Sequence, residues 1–382
     1  MPLRTPAIHP DVLVVGAGPA GLASAIAAAR QGFHVEVIDA MQPSIDKACG
    51  EGLMPDSIEA LSALGFDRNA DFRHFETHQF RGIRFLDDHA SVQAIFPGTP
   101  GLGIRRTVLH QLLLNRALNL GVRFHWQNSV QSITPTPTGT LVHTNRQTLP
   151  TRYLIGADGH HSRIATWAGL TRSRLHSRRI ALRQHYAITP WNNFVEVYWS
   201  NYGQAYVTPI SSTEVCVAFI SNKKIPTSTE ALAHFPALQR HLASAPASDR
   251  PRGAITLGRT LHRVATGNIA LIGDASGSVD AITGEGLALC FRQAAALAQA
   301  LHANNLALYE HAHRRIRRLP ALMSRSLLLM DRHPRLRART LRTFERNPRL
   351  FERMLRVHIG DSSMRFFGPD GLLATGLHIL AN

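Results

Sequence analysis

Three glycine-rich turns, each of which follows an apolar run, hold residue types suited to binding a nucleotide. In the first turn, Gly16, Gly18 and Gly21 come directly after the apolar run Val12–Val15. Gly16 permits a tight turn, Gly18 lets a phosphate approach backbone N–H groups at the positive end of a helix, and Gly21 permits close packing of that helix. Asp39 ends the next apolar run, where a carboxylate can accept hydrogen bonds from a ribose. The pattern predicts a dinucleotide site.

The two other turns also place a carboxylate at the end of an apolar run. Gly273 and Asp274 follow one such run, and Gly284-Glu285-Gly286 then opens a helix. Asp274 can accept hydrogen bonds from a sugar-alcohol chain, and the N–H groups of 284–286 favour negative charge that develops at the helix start. Asp158 ends the third run. Each turn alone is typical of an ordinary strand–loop–helix connection, whereas the three in this order are far more specific.

In their order and spacing the three turns resemble those of the flavoprotein superfamily that contains the group A aromatic hydroxylases, the geranylgeranyl reductases and the flavin-dependent halogenases. The resemblance covers residues 10 to about 300 and implies FAD as the dinucleotide. It implies that Asp39 binds the adenosine ribose, that Asp274 binds the ribityl chain, and that 284–286 lie beside the flavin pyrimidine. It also implies that Arg105 or Arg106 reaches FAD phosphate or ribityl oxygens. The predicted cofactor-binding residues are Gly16, Gly18, Gly21, Asp39, Arg105, Arg106, Asp158, Gly273, Asp274, Gly284 and Gly286.

Several segments bear on the activity that the resemblance implies. Residues 47–55 and 273–286 look like the geranylgeranyl-reductase branch, whereas 203–210 look like a run found in bacterial FAD-dependent monooxygenases. The Trp-x-Trp-x-Ile-Pro stretch of halogenases is absent from the corresponding area. We expect a monooxygenase that uses NAD(P)H and dioxygen, through a flavin C4a-hydroperoxide, on a lipophilic or aromatic small molecule. The alternatives are an FAD-dependent alkene reductase of the geranylgeranyl type and a non-catalytic flavin-binding or membrane-docking protein.

Four side chains are candidates for catalysis beside the flavin: Cys49, Glu51, Tyr206 and Glu285. Cys49 lies in a glycine-rich turn, and the alternative is a buried structural thiol. Glu51 and Glu285 can act as acid–base groups if they are desolvated, or they only stabilise a turn and a helix start. Tyr206 is expected to line an apolar substrate pocket, or to pack against a helix, together with three other aromatic residues: Tyr198, Trp199 and Tyr202. His160 and His161 are expected in a surface loop.

Composition and cysteine usage narrow the class of protein. The chain has 382 residues with 44% hydrophobic and 18% charged residues, which excludes wholesale disorder and suggests two domains. Three scattered cysteines predict neither a disulfide framework nor a metal site. The first ten residues lack the apolar segment of a secretory signal. We therefore expect a cytoplasmic protein, with peripheral attachment to a membrane as the open alternative.

The positive charge is concentrated near the C-terminus. Residues 301–360 hold fourteen arginines against four acidic residues, in a chain of net charge +16. Their basic helices are expected to contact an anionic membrane or an acyl-carrier protein, or else to pack an apolar face on the FAD domain with the arginines solvated. No zinc finger, helix-turn-helix or RNA-binding motif accompanies them, so no nucleic-acid partner is predicted.

The elements that must position these residues predict an α/β fold. Residues 11–39 have the pattern of a strand–helix–strand unit, helices are predicted over 55–64, 106–120, 229–242 and 286–301, and alternating strands over 74–96, 122–155 and 180–221. We expect a Rossmann-like FAD-binding domain (1–75, 98–180 and 255–300) interleaved with an antiparallel-sheet substrate domain (76–97 and 181–254). We also expect a helical C-terminal segment (301–382). The chain is expected to cross between the two interleaved domains around 97–103 and 250–258.

Overall fold

The computed structural model describes residues 9–362, so residues 1–8 of the first predicted domain and 363–382 of the last lie outside the described part. Its strands are β1 (Val12–Val15), β2 (Val35–Ile38), β3 (Gly52–Leu53), β4 (His78–Phe80), β5 (Gly82–Leu86), β6 (Ser91–Ile95), β7 (Gly101–Gly103), β8 (Arg123–His125), β9 (Val130–Thr136), β10 (Gly139–Thr144), β11 (Thr148–Thr151), β12 (Tyr153–Gly156), β13 (Ser173–Ala187), β14 (Val195–Trp199), β15 (Gln204–Pro209), β16 (Glu214–Ser221), β17 (Arg252–Leu261), β18 (Ala265–Thr266), β19 (Ile269–Leu271) and β20 (Gly277–Ser278). Its α-helices are α1 (Pro19–Arg30), α2 (Pro55–Ala63), α3 (Arg68–Asp71), α4 (Arg106–Asn119), α5 (Arg163–Trp167), α6 (Ser228–Leu232), α7 (Pro236–Leu242), α8 (Gly286–His302), α9 (Leu306–Arg332), α10 (Pro334–Arg346) and α11 (Pro348–His358). Single 3₁₀ turns span Gly273–Ser276 and Ala281–Thr283.

A six-stranded sheet in the order β18-β19-β12-β1-β2-β8 carries the three glycine turns. β1 pairs in parallel with β12 on one side and with β2 on the other, and β19 pairs in parallel with β12. Such a sheet is buried on both faces, which explains the short, wholly apolar runs in the sequence. Because the carboxyl ends of parallel strands meet at one edge, Gly16, Asp39, Asp158 and Gly273 come together there.

Helix α1 begins immediately after the first turn and packs against α8. A Cβ on Gly21 would lie 1.8 Å from the Gly16 carbonyl oxygen, so only glycine allows the helix to approach the turn this closely. Gly16 has φ +106°, a left-handed conformation that strongly favours glycine. The predicted strand–turn–helix unit therefore rests on these two local requirements.

An eight-stranded sheet in the order β20-β17-β13-β16-β15-β14-β5-β6 forms the second layer. Its pairs are antiparallel except for the parallel pair β14–β5. Strand β13 is fifteen residues long and pairs with β16 and β17 on its two sides. β13 and β17 extend past the predicted limits 181 and 254, because their antiparallel pairing continues toward the six-stranded sheet. The position of the domain boundaries stays a prediction.

The described residues also form two three-stranded sheets, in the orders β11-β10-β9 and β3-β7-β4. The expected chain crossings around 97–103 and 250–258 overlap strands, because β7 takes up 101–103 and β17 begins at Arg252. The helix predicted over 229–242 is two helices, α6 and α7, divided before Pro236. Proline disfavours helical backbone at the residue before it and lacks the N–H that would continue a helix.

The C-terminal helices pack on both layers. The start of α9 packs against α8 and β18 of the FAD domain, as the sequence alternative had it, and Tyr309 donates to the Leu271 carbonyl there (2.7 Å). Helices α10 and α11 pack on the eight-stranded sheet. Phe351 of α11 lies 5.0 Å, ring centre to ring centre, from Phe85 of β5, and 5.3 Å from Phe344 of α10. The same apolar cluster includes Val195 and Val197 of β14. The α/β class, the interleaved antiparallel sheet and the helical C-terminal region are confirmed. Among residues 9–362 no helix combines the length and apolarity needed to cross a bilayer.

Candidate active site

A cavity of about 680 Å³ lies between the glycine-turn edge of the six-stranded sheet and the face of the eight-stranded sheet. This volume is typical of small-molecule sites. Nine of the predicted residues line it: Cys49, Glu51, Arg106, Asp158, Tyr206, Gly273, Asp274, Gly284 and Gly286. Six do not: Gly16, Gly18, Gly21, Asp39, Arg105 and Glu285. Gly18 is nevertheless followed directly by Pro19 and Ala20, which do line the cavity.

Three glycines at this edge face open space. A Cβ added to Gly18, Gly284 or Gly286 would have no other atom within 4 Å, apart from its chain neighbours. Gly18 is the N-cap of α1 and Gly286 begins α8, so each gap lies at the positive end of a helix. These gaps fit a ligand whose anionic groups approach the backbone N–H groups of both helices.

The three strand-end carboxylates differ in what they are free to bind. Asp39 accepts hydrogen bonds from the backbone N–H groups of Ala17 (2.6 Å) and Met41 (2.8 Å), which holds the first turn against β2. Asp158 accepts hydrogen bonds from the Ser162 hydroxyl (2.6 Å) and from the backbone N–H of Arg163 (2.8 Å) at the start of α5. Both carboxylates therefore stabilise local structure, whatever else they contact.

Asp274 is the most accessible of these carboxylates, with 56% of its side chain exposed. Its Oδ2 atom lies 3.4 Å from Nε2 of His160. Burial lowers the pKa of His160, and the Asp274 charge opposes that shift. His160 and His161 lie in a turn, as expected, and His161 is exposed, but both also line the cavity. Their position follows from the Asp158 turn, which directs the chain back over the second glycine turn.

The structure separates the two arginines that the sequence left as alternatives. Arg105 pairs with Glu214 through two hydrogen bonds, one of 2.8 Å, and faces away from the cavity. Arg106 lines the cavity, and its buried Nε atom has no hydrogen-bond partner within the described chain. Buried polar groups are nearly always paired in folded proteins, so Arg106 is the better placed to hold an anionic group of a ligand.

Glu51 is buried in the cavity wall and holds hydrogen bonds on both oxygens. Its Oε1 atom accepts from the backbone N–H of Arg106 (3.0 Å), and its Oε2 atom lies 2.6 Å from Nε2 of His185. His185 also contacts Asp249, 2.8 Å from Nδ1 to Oδ2, and Arg183 bridges Asp249 and Asp46. Sequence reasoning missed His185, Arg183 and Asp249, because alternation along β13 marks which side chains face inward but not what they meet.

Cys49 lines the cavity, and the buried thiol of Cys216 lies 3.6 Å from its carbonyl oxygen. Burial raises the pKa of Cys216 well above its ordinary value, with Glu51 adding to the shift. Glu51, His185 and Cys216 are the set of three potential metal ligands that residues 9–362 bring together. Since the Glu51 and His185 atoms are already at hydrogen-bond distance, we interpret the group as a hydrogen-bonded cluster.

Glu285 lies behind the cavity wall rather than in it. It is 2% exposed, and neither of its carboxyl oxygens has a hydrogen-bond partner among residues 9–362. Burial raises the pKa of Glu285 to about 8 and that of the neighbouring Asp56 to about 6, although Arg292 lowers both. His358, which does line the cavity, has its Nδ1 atom 3.8 Å from Glu285 Oε2. Glu285 therefore contacts a residue of the cavity wall, His358, and does not line the cavity itself.

A family model described as an FAD binding domain matches residues 9–315 of this chain. The chain belongs to the FAD binding domain family. It is therefore an FAD-dependent oxidoreductase, and the resemblance to the superfamily of group A hydroxylases and geranylgeranyl reductases is confirmed. The gaps at Gly18, Gly284 and Gly286 and the unpaired Arg106 are features that suit FAD.

Two curated relatives and one solved structure illustrate the family. The menaquinone reductase of Mycolicibacterium smegmatis is 29% identical over 301 residues, covering 72% of each chain. The digeranylgeranylglycerophospholipid reductase of Methanococcus vannielii is 26% identical over 295 residues, covering 73% of each. A flavoprotein/dehydrogenase from Cytophaga hutchinsonii has a TM-score of 0.81 and 19% identity, covering 97% of this chain and 99% of that one. The last comparison shows a shared fold.

Much of the rest of the cavity of this FAD-dependent protein is apolar. Its wall opposite the glycine turns is built from aliphatic, aromatic and methionine side chains: Phe80, Ile83, Phe85, Val195, Val197, Ile220, Met323, Leu327, Met330, Phe351, Met354 and Leu355. Tyr206 lines it as predicted, with its hydroxyl donating to the Ile282 carbonyl (2.8 Å). Burial raises the pKa of Tyr206, so it stays a neutral phenol.

The other three aromatic residues that the sequence placed in the pocket do not line it. Tyr198 points to the opposite side of the sheet and donates to Glu196 (2.7 Å). Trp199 packs against Phe85 in the core, 5.7 Å between ring centres. Tyr202 stacks on His234 and donates to the Lys224 carbonyl (2.6 Å). Alternation along β14 sends Val195 and Val197 to the cavity and Tyr198 away from it.

Proposed function

We propose that this chain uses FAD to add hydrogen across a carbon–carbon double bond of an isoprenoid-like, lipophilic substrate. The observation that carries the proposal is the pairing of an extended apolar wall with a buried acid, Glu51, that faces the same cavity. The other buried acid of the wall, Asp280, is paired with Arg179 and accepts a hydrogen bond from Ser177. A hydrocarbon chain needs no polar partners, and the wall from Ile83 to Met354 offers few. The two relatives named above are a menaquinone reductase and a digeranylgeranylglycerophospholipid reductase.

Each part of the cavity has a distinct task in such a reaction. FAD, once reduced, supplies a hydride to one carbon of the double bond, and a proton must reach the other carbon. The N-termini of α1 and α8 and the Arg106 side chain hold the cofactor's anionic groups. The apolar wall orients the substrate and excludes water from the site. Glu51 is placed to provide the proton.

NADH or NADPH is the reductant we propose, following the superfamily. The choice between the two is made by experiment. Anaerobic holoprotein is mixed with NADH or with NADPH, and the loss of the oxidised flavin absorbance is followed. Reduction by one of the two supports the proposal, whereas reduction by neither points to a partner reductase.

The monooxygenase that the sequence favoured stays the competing proposal, supported by the likeness of residues 203–210 to bacterial monooxygenases. Holoprotein reduced with dithionite is therefore incubated with menaquinone-4, once without oxygen and once with isotopically labelled dioxygen, and the products are analysed by mass spectrometry. We expect a gain of two hydrogen atoms in the isoprenoid side chain without oxygen, and this gain should persist after any quinol is reoxidised to the quinone. A gain of one labelled oxygen atom, with no anaerobic product, would overturn the reductase proposal.

A matched pair of variants tests whether the apolar wall holds the substrate. Met354→Gln places an amide in the wall, and because burying an unpaired amide costs about 1–3 kcal/mol, we expect roughly a tenfold or larger loss in kcat/KM. Met41→Gln, at a methionine that is 64% exposed, serves as the control. Equal activity of the two variants would place the substrate elsewhere.

A further inference from the structure

Glu51 has a backbone conformation that a glutamate seldom adopts. Its φ is +58°, in the left-handed region that costs a residue with a Cβ of the order of 1 kcal/mol or more. The conformation is held by a hydrogen bond from the Ile104 N–H to the Glu51 carbonyl (2.9 Å) and by the two side-chain contacts described above. The turn thus forces the carboxyl group into the cavity wall, where it is 3% exposed.

From Glu51 a line of hydrogen-bonding atoms leads away from the cavity. Glu51 Oε2 meets His185 Nε2 at 2.6 Å, and His185 Nδ1 meets Asp249 Oδ2 at 2.8 Å. The side chains of Glu51 and His185 are each 1% exposed, whereas that of Asp249 is 22% exposed. One end of the line is therefore closed in the cavity wall, and the other end reaches solvent.

The charges around the line keep its outer end ionised. Burial would raise the pKa of Asp249, but hydrogen bonds from His185 and the charges of His185 and Arg183 lower it overall. Arg183 donates to Asp249 (2.5 Å) and to Asp46 (2.7 Å), and Arg105 lies 3.9 Å from Asp249. The Cys216 thiol also faces the line and stays protonated, because burial raises its pKa. An ionised Asp249 orients the imidazole of His185 so that Nε2 faces Glu51.

We propose that Glu51, His185 and Asp249 form a proton path from solvent to the substrate cavity, with Glu51 as the group that exchanges the proton with the substrate. The inference rests on the proposed function. As the double bond accepts a hydride at one carbon, the Glu51 carboxyl O–H bond breaks and a C–H bond forms at the other carbon. The Glu51 carboxylate is then reprotonated by the Nε2–H of His185, while Nδ1 takes a proton that Asp249 has accepted from solvent, and Asp249 returns to its carboxylate. A rotation of the His185 ring then brings its remaining N–H back to Glu51, so that one proton moves from solvent to the substrate in each turnover.

A purely structural cluster would hold the 49–54 turn against β13 without moving protons. The variants His185→Gln and Asp249→Asn keep hydrogen-bonding side chains of similar size but cannot pass a proton in the same way. Their matched controls are His143→Gln, a histidine bonded at both ring nitrogens to Thr134 and Thr148, and Asp71→Asn, an aspartate paired with Arg116. None of the control residues lines the cavity.

The first measurement needs no substrate. The infrared spectrum of the resting holoprotein is recorded in H₂O and D₂O, and the carboxylic acid band that disappears in Glu51→Gln is assigned to Glu51. We expect the frequency or intensity of this band to change in both His185→Gln and Asp249→Asn, while the two controls leave it unchanged. A Glu51 band that the His185 and Asp249 variants do not alter would overturn the path.

The second measurement follows turnover. Reduced holoprotein is mixed anaerobically with menaquinone-4 across a range of pH, in H₂O and in D₂O. We expect His185→Gln and Asp249→Asn to lower kcat by tenfold or more, to change its pH profile and to leave KM and FAD content near native values. Loss of FAD or of the folded state in both variants, or a native pH profile in both, would contradict the proposal. If the native protein reduces no double bond, the proposed function fails, and the infrared result still decides whether the path exists.

Discussion

At the scale of single residues, the glycines of the first turn serve two different physical purposes. A Cβ at Gly16 or Gly21 would lie within 2.5 Å of a backbone atom, so these glycines are required for the chain to fold as it does. Gly18 has φ −69° and open space around it, so the fold itself would tolerate alanine there. The space beside Gly18 is thus available for a ligand.

Gly18→Ala should weaken FAD binding without weakening the fold. The added methyl group would occupy the gap that a phosphate needs to approach the start of α1, and we expect FAD affinity to fall by about tenfold or more, or about 1.4 kcal/mol. The Kd is measured by flavin fluorescence, and the Tm of the cofactor-free protein is measured in parallel. Gly253→Ala, at an exposed glycine outside the cavity, is the control. An unchanged FAD affinity in Gly18→Ala would show that the FAD phosphates do not bind beside the start of α1.

At the scale of elements, the starts of α2 and α8 and the end of α11 meet in a buried, charged cluster. Asp56 of α2 pairs with Arg292 of α8 at 3.2 Å, and Glu285 and His358 lie beside them. The pKa of Glu285 is raised to about 8 because the carboxyl group is desolvated. A raised pKa means that the folded protein binds this proton more tightly than the unfolded chain does.

Glu285→Gln should change how stability depends on pH. Below about pH 4.5, the ordinary value, Glu285 is protonated in both states, and its ionisation contributes no difference. As the pH rises toward about 8, ionisation of the unfolded chain destabilises the native protein, by roughly 1.4 kcal/mol per unit of pKa shift. The free energy of unfolding of Glu285→Gln should therefore rise relative to native by a few kcal/mol between about pH 5 and about pH 8.

Urea unfolding at these pH values measures the difference, with Glu352→Gln, at an exposed glutamate of α11, as the control. The control should follow the native protein at every pH, because Glu352 is exposed and its replacement removes no buried carboxyl group. A Glu285→Gln curve parallel to the native one would show that Glu285 is not held protonated by its surroundings.

At the scale of the whole molecule, helix α9 connects the cavity with a basic surface. Met323 and Leu327 of α9 line the cavity, while Leu322 and Leu329 on another face are 43% and 48% exposed. Three exposed arginines share that outer face at helical spacing: Arg318, Arg325 and Arg332. We propose that this face rests on an anionic membrane, from which a lipophilic substrate enters beside α9.

The membrane proposal predicts binding that depends on lipid charge. Native protein should sediment with vesicles that contain phosphatidylglycerol and not with pure phosphatidylcholine, because Arg318, Arg325 and Arg332 each contribute about 1 kcal/mol near a negative surface. Replacing the three arginines by glutamine, or both exposed leucines by serine, should reduce sedimentation several-fold. Leu118→Ser, at an exposed leucine of α4, is the control. Equal sedimentation of all variants would contradict the membrane proposal and would indicate that the basic face is solvated.

Much of the FAD-binding region was predictable, because its requirements are local. The first turn needs glycine for its own φ and for contacts with the helix that follows it, and the apolar runs reflect burial on both sides of a parallel sheet. The substrate side was less predictable. Tyr198 and Tyr206 look alike in an alternating strand, and only the pairing of β14 with β5 and β15 decides which face each presents to the cavity.

The sequence by itself determined the family and the three turns, since a strand, a glycine turn and a helix are specified by neighbouring residues. Tertiary structure alone decided that Arg106 rather than Arg105 faces the cavity, and that Glu51 meets His185 across 134 positions of the chain. Contacts between residues so distant in sequence depend on the packing of whole sheets against each other. That packing depends on many small interactions between distant residues, and no short segment of the sequence specifies it.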